Sequence, residues 1–279
     1  MKSKLVDAIG LKTHPVALTW AETAPQGATQ FKPGRWGCVV SPFAAVAAKG
    51  RVAAFDRHTY GCWGGGVGLG FGNCYKTFPG GIDGFCHFLA EGNNDSEEGR
   101  RVGEQVATWR DRRMTDDFLY GERYLKNADV TRRFLEAIPM RDILAQYVIV
   151  KPLDLAEPEK EEIKSVTFFV DSDQLSALVV LANYSEPERE NVAIPWAAAC
   201  QIMGILAYRE LEREHPRALV GLTDLSARLN VRASVGRNVL TFTMPWRMFL
   251  QMEQNVDGSF LQRRTWQQIR KGAAEVNGT

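Results

Sequence analysis

Five cysteines and one dense run of glycines are the residues of this chain best suited to chemistry. The run reads Gly61-Cys62-Trp63-Gly64-Gly65-Gly66-Val67-Gly68-Leu69-Gly70-Phe71-Gly72-Asn73-Cys74, and Phe78-Pro79-Gly80-Gly81 and Phe85-Cys86-His87 follow it. Glycine loses more backbone freedom on folding than any other residue, so such a tract points to positive φ or to close backbone approach. Thiolates are soft ligands for iron–sulfur clusters and zinc. No C-x-x-C pair occurs, which excludes zinc ribbons, thioredoxin-like redox motifs and bacterial ferredoxin runs. Thiolates from distant positions with few histidines nearby suit an iron–sulfur cluster, 4Fe-4S in type, better than a catalytic zinc. Zinc through Cys74, Cys86 and His87 is the alternative.

The order of preference among ligands follows from context. Cys38 precedes Ser41-Pro42 and an alanine-rich helix, and Cys200 lies early on an apolar helix; a helix start favours thiolate over thiol. Cys62 opens the glycine tract, where the amides of Gly64, Gly65 and Gly66 can line a concavity. Cys38, Cys62 and Cys200 are therefore the first ligands expected, with Cys74 or Cys86 as a fourth. Free cysteine is also a small hydrophobe, and Cys86 between Phe85 and Phe88 reads most like one. His58 stands as an outer donor. Trp36, Trp63 and Trp196 each neighbour a candidate cysteine and suggest an apolar wall. Asp56, Asp224 and Arg228 sit at strand ends, where an Asp–Arg ion pair fixing a turn is the preferred reading.

Nucleotide readings of the glycines do worse. Strict alternation over Gly66–Gly72 never yields G-x-G-x-x-G, and Tyr75-Lys76-Thr77 lacks the glycine a phosphate loop needs. A flattened strand against which a planar cofactor packs fits the alternation, and a small-molecule binding module is the second functional reading.

Elements must position these groups. Strands are expected over 14–20, 51–56, 147–151, 166–170, 218–222 and 239–243, from β-branched and apolar runs bounded by turn residues. Helices are expected over 41–49, after Asp171 through 181, from Pro195 through Leu206, over 246–256, and within the charged segment 96–143. The fold class is α/β, with α+β as the variant: a mixed sheet with flanking helices. A strand, then a cysteine-led helix, then a strand ending in aspartate occurs at 38–56 and again at 200–224, which suggests two pseudo-repeated halves. The organisation expected is a single domain over 1–279, with interlocked halves at about 1–95 and 145–260 joined by helices over 96–143.

Bulk properties narrow the partners. With 34 basic and 33 acidic residues, the balanced charge gives no footprint for nucleic acid or an anionic membrane. No window reaches the roughly 18 apolar residues of a membrane span. No export signal is read at the start, and an odd cysteine count argues for a reducing cytoplasm. A small-molecule substrate or redox partner is expected, and a homo-oligomer is compatible with the sequence.

The order Gly37-Cys38, Asp56, Gly61-Cys62 with its glycines, Phe78-Pro79-Gly80-Gly81, Asp173-Gln174-Leu175, Cys200, Gly221-Leu222-Thr223-Asp224 with Ser226-Ala227-Arg228, and Pro245 to Phe249 resembles the prokaryotic family called domain of unknown function 169. The resemblance covers nearly the whole chain. It implies occurrence in anaerobic bacteria and archaea, and Cys38, Cys62 and Cys200 fall on the family's recurring cysteine positions. Cys74 and Cys86 match that pattern less closely, and Trp63 stands where proline is common.

Overall fold

The computed structural model describes residues 2–108 and 110–276. Two compact units emerge: one formed by Met1–Phe71 with Ile143–Thr279, the other by Gly72–Asp142.

The larger unit is built on seven strands: β1 (Val16–Ala21), β2 (Ala53–Asp56), β3 (Tyr147–Pro152), β4 (Ile163–Val170), β5 (Val192–Ala193), β6 (Ala218–Gly221) and β7 (Leu240–Pro245). They form one mixed sheet in the order β2-β3-β1-β4-β7-β6-β5. Every neighbouring pair is antiparallel except β5 with β6. Thr29 makes a short parallel bridge to Ala53 on the outer side of β2. All eight residues of central β4 are buried, which requires cover on both faces. On one face Val166, Phe168 and Val170 join Phe242 and Met244 in an apolar core. This core is closed by helices α1 (Lys4–Ile9), α8 (Ser172–Ala182) and α12 (Trp246–Asn255). Alternate residues face the other way: Ser165 Oγ donates to the Met203 carbonyl at 3.3 Å, and the Thr167 and Thr243 hydroxyls pair at 2.9 Å. The mixed sheet with flanking helices is the expected class, and its antiparallel pairings put it on the α+β side.

Five more helices complete the larger unit: α2 (Val40–Lys49), α3 (Trp63–Leu69), α11 (Leu225–Val235), the C-terminal α13 (Arg264–Val276), and one continuous helix over residues 199–211. That last helix comprises α9 (Ala199–Gln201), a π-helical stretch (Ile202–Leu206) and α10 (Ala207–Leu211).

The strand order has a two-halved plan. β1 and β4 pair at its centre, β3 and β7 lie outside them, and β2 and β6 lie outside those. In the first half the chain leaves β1, passes Cys38 into α2, then follows β2, Asp56 and α3, and returns as β3. In the second it leaves β4, passes Cys200 into the 199–211 helix, then follows β6, Asp224 and α11, and returns as β7. Helices cross between the halves. α11 packs on α2, and α3 packs on the 199–211 helix.

The smaller unit carries α4 (Gly81–Leu89), α5 (Glu97–Ala107), α6 (Arg112–Tyr120) and α7 (Ala128–Glu136). Ser96, Asp111 and Asn127 cap the last three through their side chains, each accepting the N–H three residues on. Its interior is aromatic: Tyr75 stacks on Phe85 with centroids 4.0 Å apart, and Phe78 contacts Phe85, Phe88 and Phe118.

Several expectations need correction. The glycine tract is neither a flattened strand nor a loop, because residues 63–69 coil as α3. Its helical glycines serve close packing: a Cβ on Gly68 would stand 2.8 Å from the Cys200 carbonyl carbon, and one on Gly204 1.9 Å from the Gly68 oxygen. Pro195 does not open a helix; residues 195–198 are extended or bent, and the turn starts at Ala199. The N-cap of α2 is Val39 rather than Ser41. In contrast, Asp171 and Gln174 form a full capping box at α8, as the sequence order suggests.

Candidate functional site

The crossed helices bring three cysteines of the larger unit to one place. Cys62 is the N-cap of α3, and its Sγ accepts the Gly65 N–H at 3.3 Å. Cys200, buried, donates its thiol proton to the Gly64 carbonyl of that same helix at 3.3 Å. Cys38 immediately precedes α2; its sulfur receives hydrogen bonds from the Val40 backbone and from the Asn230 side chain on α11. The three groups sense each other's charge: Cys62 acts on Cys38, and both act on Cys200.

The electrostatics of this place favour the neutral thiols of Cys38 and Cys200. Burial pushes the Cys38 thiol up to about 12, with Cys62 and Asp224 adding repulsion and the Val40 and Asn230 hydrogen bonds opposing. Burial likewise raises Cys200 well above the ordinary thiol range, helped by Cys62, Asp224 and Cys38. A helix start was expected to favour thiolate; desolvation outweighs it here, because two or three like charges in an apolar setting cannot all form alone. A bound metal inverts that logic by deprotonating the thiols that ligate it.

Asp224 is the group whose role the sequence reading missed. Its Oδ1 accepts the Ala227 N–H at 2.7 Å, capping α11, and its Oδ2 accepts the Ala199 N–H at 2.7 Å, one residue before Cys200. One carboxylate thus starts two helices. Among the described residues Asp224 and Arg228 form no contact salt bridge, though the Arg228 charge favours the Asp224 carboxylate. Arg228 instead donates to the carbonyls of Leu222 at 3.2 Å, Val239 at 3.0 Å and Arg237 at 2.6 Å. Asp56, at the matching place in the first half, accepts the His58 and Thr59 N–H groups at 2.7 Å each. Asn230 also escaped notice, since an asparagine inside a helix carries no sequence signal for a sulfur partner.

The other candidates divide clearly. Gly65 and Gly66 are buried within α3, and a Cβ on Gly65 would lie 2.2 Å from the Val39 side chain, so these glycines fit helix against neighbour. Trp36 and Trp63 are half-buried, Trp196 is 42% exposed, and His58 is exposed. Cys74 and Cys86 lie in the smaller unit, both buried, and burial raises the Cys86 thiol.

Among the described residues, no three His, Cys, Asp or Glu side chains converge on a point where one metal ion could be held. A zinc site needs such convergence, with its ligands about 2.0–2.3 Å from a single ion. A cluster makes a different demand, because its cysteines bind separate irons, and thiolates are the soft donors such irons take. No helix among the described residues is long and apolar enough to cross a membrane.

Neither the curated proteins nor the solved structures offer a match to this chain. A family profile described as "Uncharacterised ArCR" matches residues 4–255, a span that includes both halves of the sheet and all five cysteines. The chain belongs to that family, domain of unknown function 169.

Proposed function

We propose that Cys38, Cys62 and Cys200 bind an iron–sulfur cluster, 4Fe-4S in type, and that the protein serves reductive chemistry or electron transfer with a small-molecule substrate or redox partner. The observation carrying this reading is the meeting of three cysteines, distant in sequence, at the starts of helices that cross between the two halves of the sheet. Such a cluster, when bound, supplies one-electron transfer.

The chain's own residues do the rest. The Gly65 N–H fixes the Cys62 sulfur, and the Val40 and Asn230 donors fix that of Cys38. Hydrogen bonds to ligand sulfur orient it and tune the potential of what it binds. The Gly64 carbonyl holds the Cys200 proton until ligation releases it to solvent. Val39, next to Cys38, is fully buried, whereas Cys38 and Cys62 themselves are half-buried.

Strictly anaerobic purification followed by iron, sulfide and zinc analysis tests the reading. Iron with matching sulfide is expected, and each of Cys38→Ser, Cys62→Ser and Cys200→Ser should lower it. A colourless, metal-free protein after such handling, or undiminished iron in all three variants, overturns the proposal.

A further inference from the structure

We propose that a groove along α11 binds a small organic carboxylate, its charged end held by arginines and its apolar body laid on two leucines. The groove has a volume of about 360 Å³, within the range of small-ligand sites. It lies in the larger unit, between α11 and the 236–239 turn that leads into β7. Arg228, Arg232 and Arg237 line it, and no acidic residue does. Leu225 and Leu229, 64% and 45% exposed, belong to the same lining. Leu225 and Leu229 are one helical turn apart, as are Arg228 and Arg232, so an apolar row and a cationic row run side by side along the helix. That pairing is complementary to an anion with a hydrocarbon body.

Arg228 gives the groove its frame. Its guanidinium donates to the carbonyls of Leu222, Val239 and Arg237, tying the start of α11 to the turn before β7. Three of its five N–H donors are thereby engaged, and two remain for a ligand. Leu222, another lining residue, adopts a φ of 62°, a region that bulky side chains rarely enter and that recurs at ligand clamps. The Asp224 carboxylate offsets the Arg228 charge in part. Arg232 and Arg237 are exposed, and among the described residues neither guanidinium has an ion-pair or hydrogen-bond partner. Cations gathered at one hollow raise the local potential and draw an anion to it. Phosphate sites rely heavily on backbone amides, but the Gly236 N–H is spent on the Arg232 carbonyl. The donors on offer are arginine forks, whose two parallel N–H groups match a carboxylate. None of these residues belongs to the cysteine set, so the groove stands whether or not iron binds.

The test is calorimetric titration of decanoate, kept below its micelle concentration, into full-length protein. Decanol and decyl phosphate serve as companions that remove or exchange the charged end. Two variants accompany wild type: Arg232→Gln combined with Arg237→Gln, which removes charge, and Leu229→Asp, which puts a carboxylate on the apolar row. All three positions are exposed, and folding is checked by circular dichroism. One decanoate per chain is expected in wild type, with affinity at least about tenfold lower in each variant and for decanol. Absence of decanoate uptake by wild type, or undiminished affinity in either folded variant, overturns the assignment. Tighter binding of decyl phosphate than of decanoate overturns the choice of carboxylate. A wild-type dimer that dissociates in the double variant and takes up no decanoate overturns it in favour of a second copy of the chain.

Discussion

At the scale of single residues, Cys38 carries the clearest pH dependence. Burial pushes its thiol up to about 12 in the fold, whereas an unfolded cysteine titrates near 8.5. A group whose folded pKa is raised contributes stability that is full below the unfolded value and lost as pH climbs toward the folded one. In the metal-free protein, the urea midpoint should therefore fall as pH rises from about 8.5, within a window that ends near 12. Cys38→Ser should flatten the decline between pH 8 and 10, where most lysines remain charged. An equal slope in both proteins would show that the thiol is not shielded as the structure has it. The sulfur of Cys38 was legible from sequence as a helix-start cysteine; its protonation was not, because it is set chiefly by burial in the fold, with Cys62 and Asp224 repelling the thiolate and Asn230 favouring it from other parts of the chain. Types of residue can be read locally, but the charge state of a buried thiol belongs to its neighbours.

Among the elements, α3 shows two principles in opposition. A glycine-rich helix of seven residues is weak on propensity alone, since each glycine costs about 0.8–1.0 kcal/mol against alanine. Gly68→Ala should then stabilise the protein by about that much if only propensity mattered. The added methyl, however, would meet the backbone of Cys200 and Gln201 at 2.8–3.0 Å, and overpacking costs about 1–3 kcal/mol. Net destabilisation of up to about 2 kcal/mol is expected in urea denaturation; a rise in stability would refute the close-approach account. Strands read well from sequence because the β-branched runs expected at 147–151, 166–170 and 239–243 lie within or overlap β3, β4 and β7, although β4 begins three residues earlier, at Ile163, and the two-residue β5 was not expected. α11 went unread since its leucines at 225 and 229 point to solvent and its apolar spacing is broken. The glycine tract misled for a physical reason: alternation suggests period two, yet the glycines are there to let two helices touch, a contact made with residues about 130 positions later.

For the whole molecule, the cysteines divide between the two units. Cys74 and Cys86 sit in the aromatic interior of the 72–142 unit, whereas the meeting of cysteines belongs to the other. Replacing both with alanine should leave the iron content of anaerobically purified protein unchanged, measured against total protein; a loss of a quarter or more would return one of them to the ligand set. The two strand–cysteine–helix–strand–aspartate runs read in the sequence lie on either side of the sheet's centre, but the crossing of α3 and α11 has no local trace, being set by tertiary packing alone. The sheet's borders have a consequence of their own. β5 offers two residues at one margin, and at the other Thr29 already occupies part of β2, itself four residues long. Both margins are short, so neither offers a long template on which a second copy could add a strand, and edge-to-edge aggregation is discouraged.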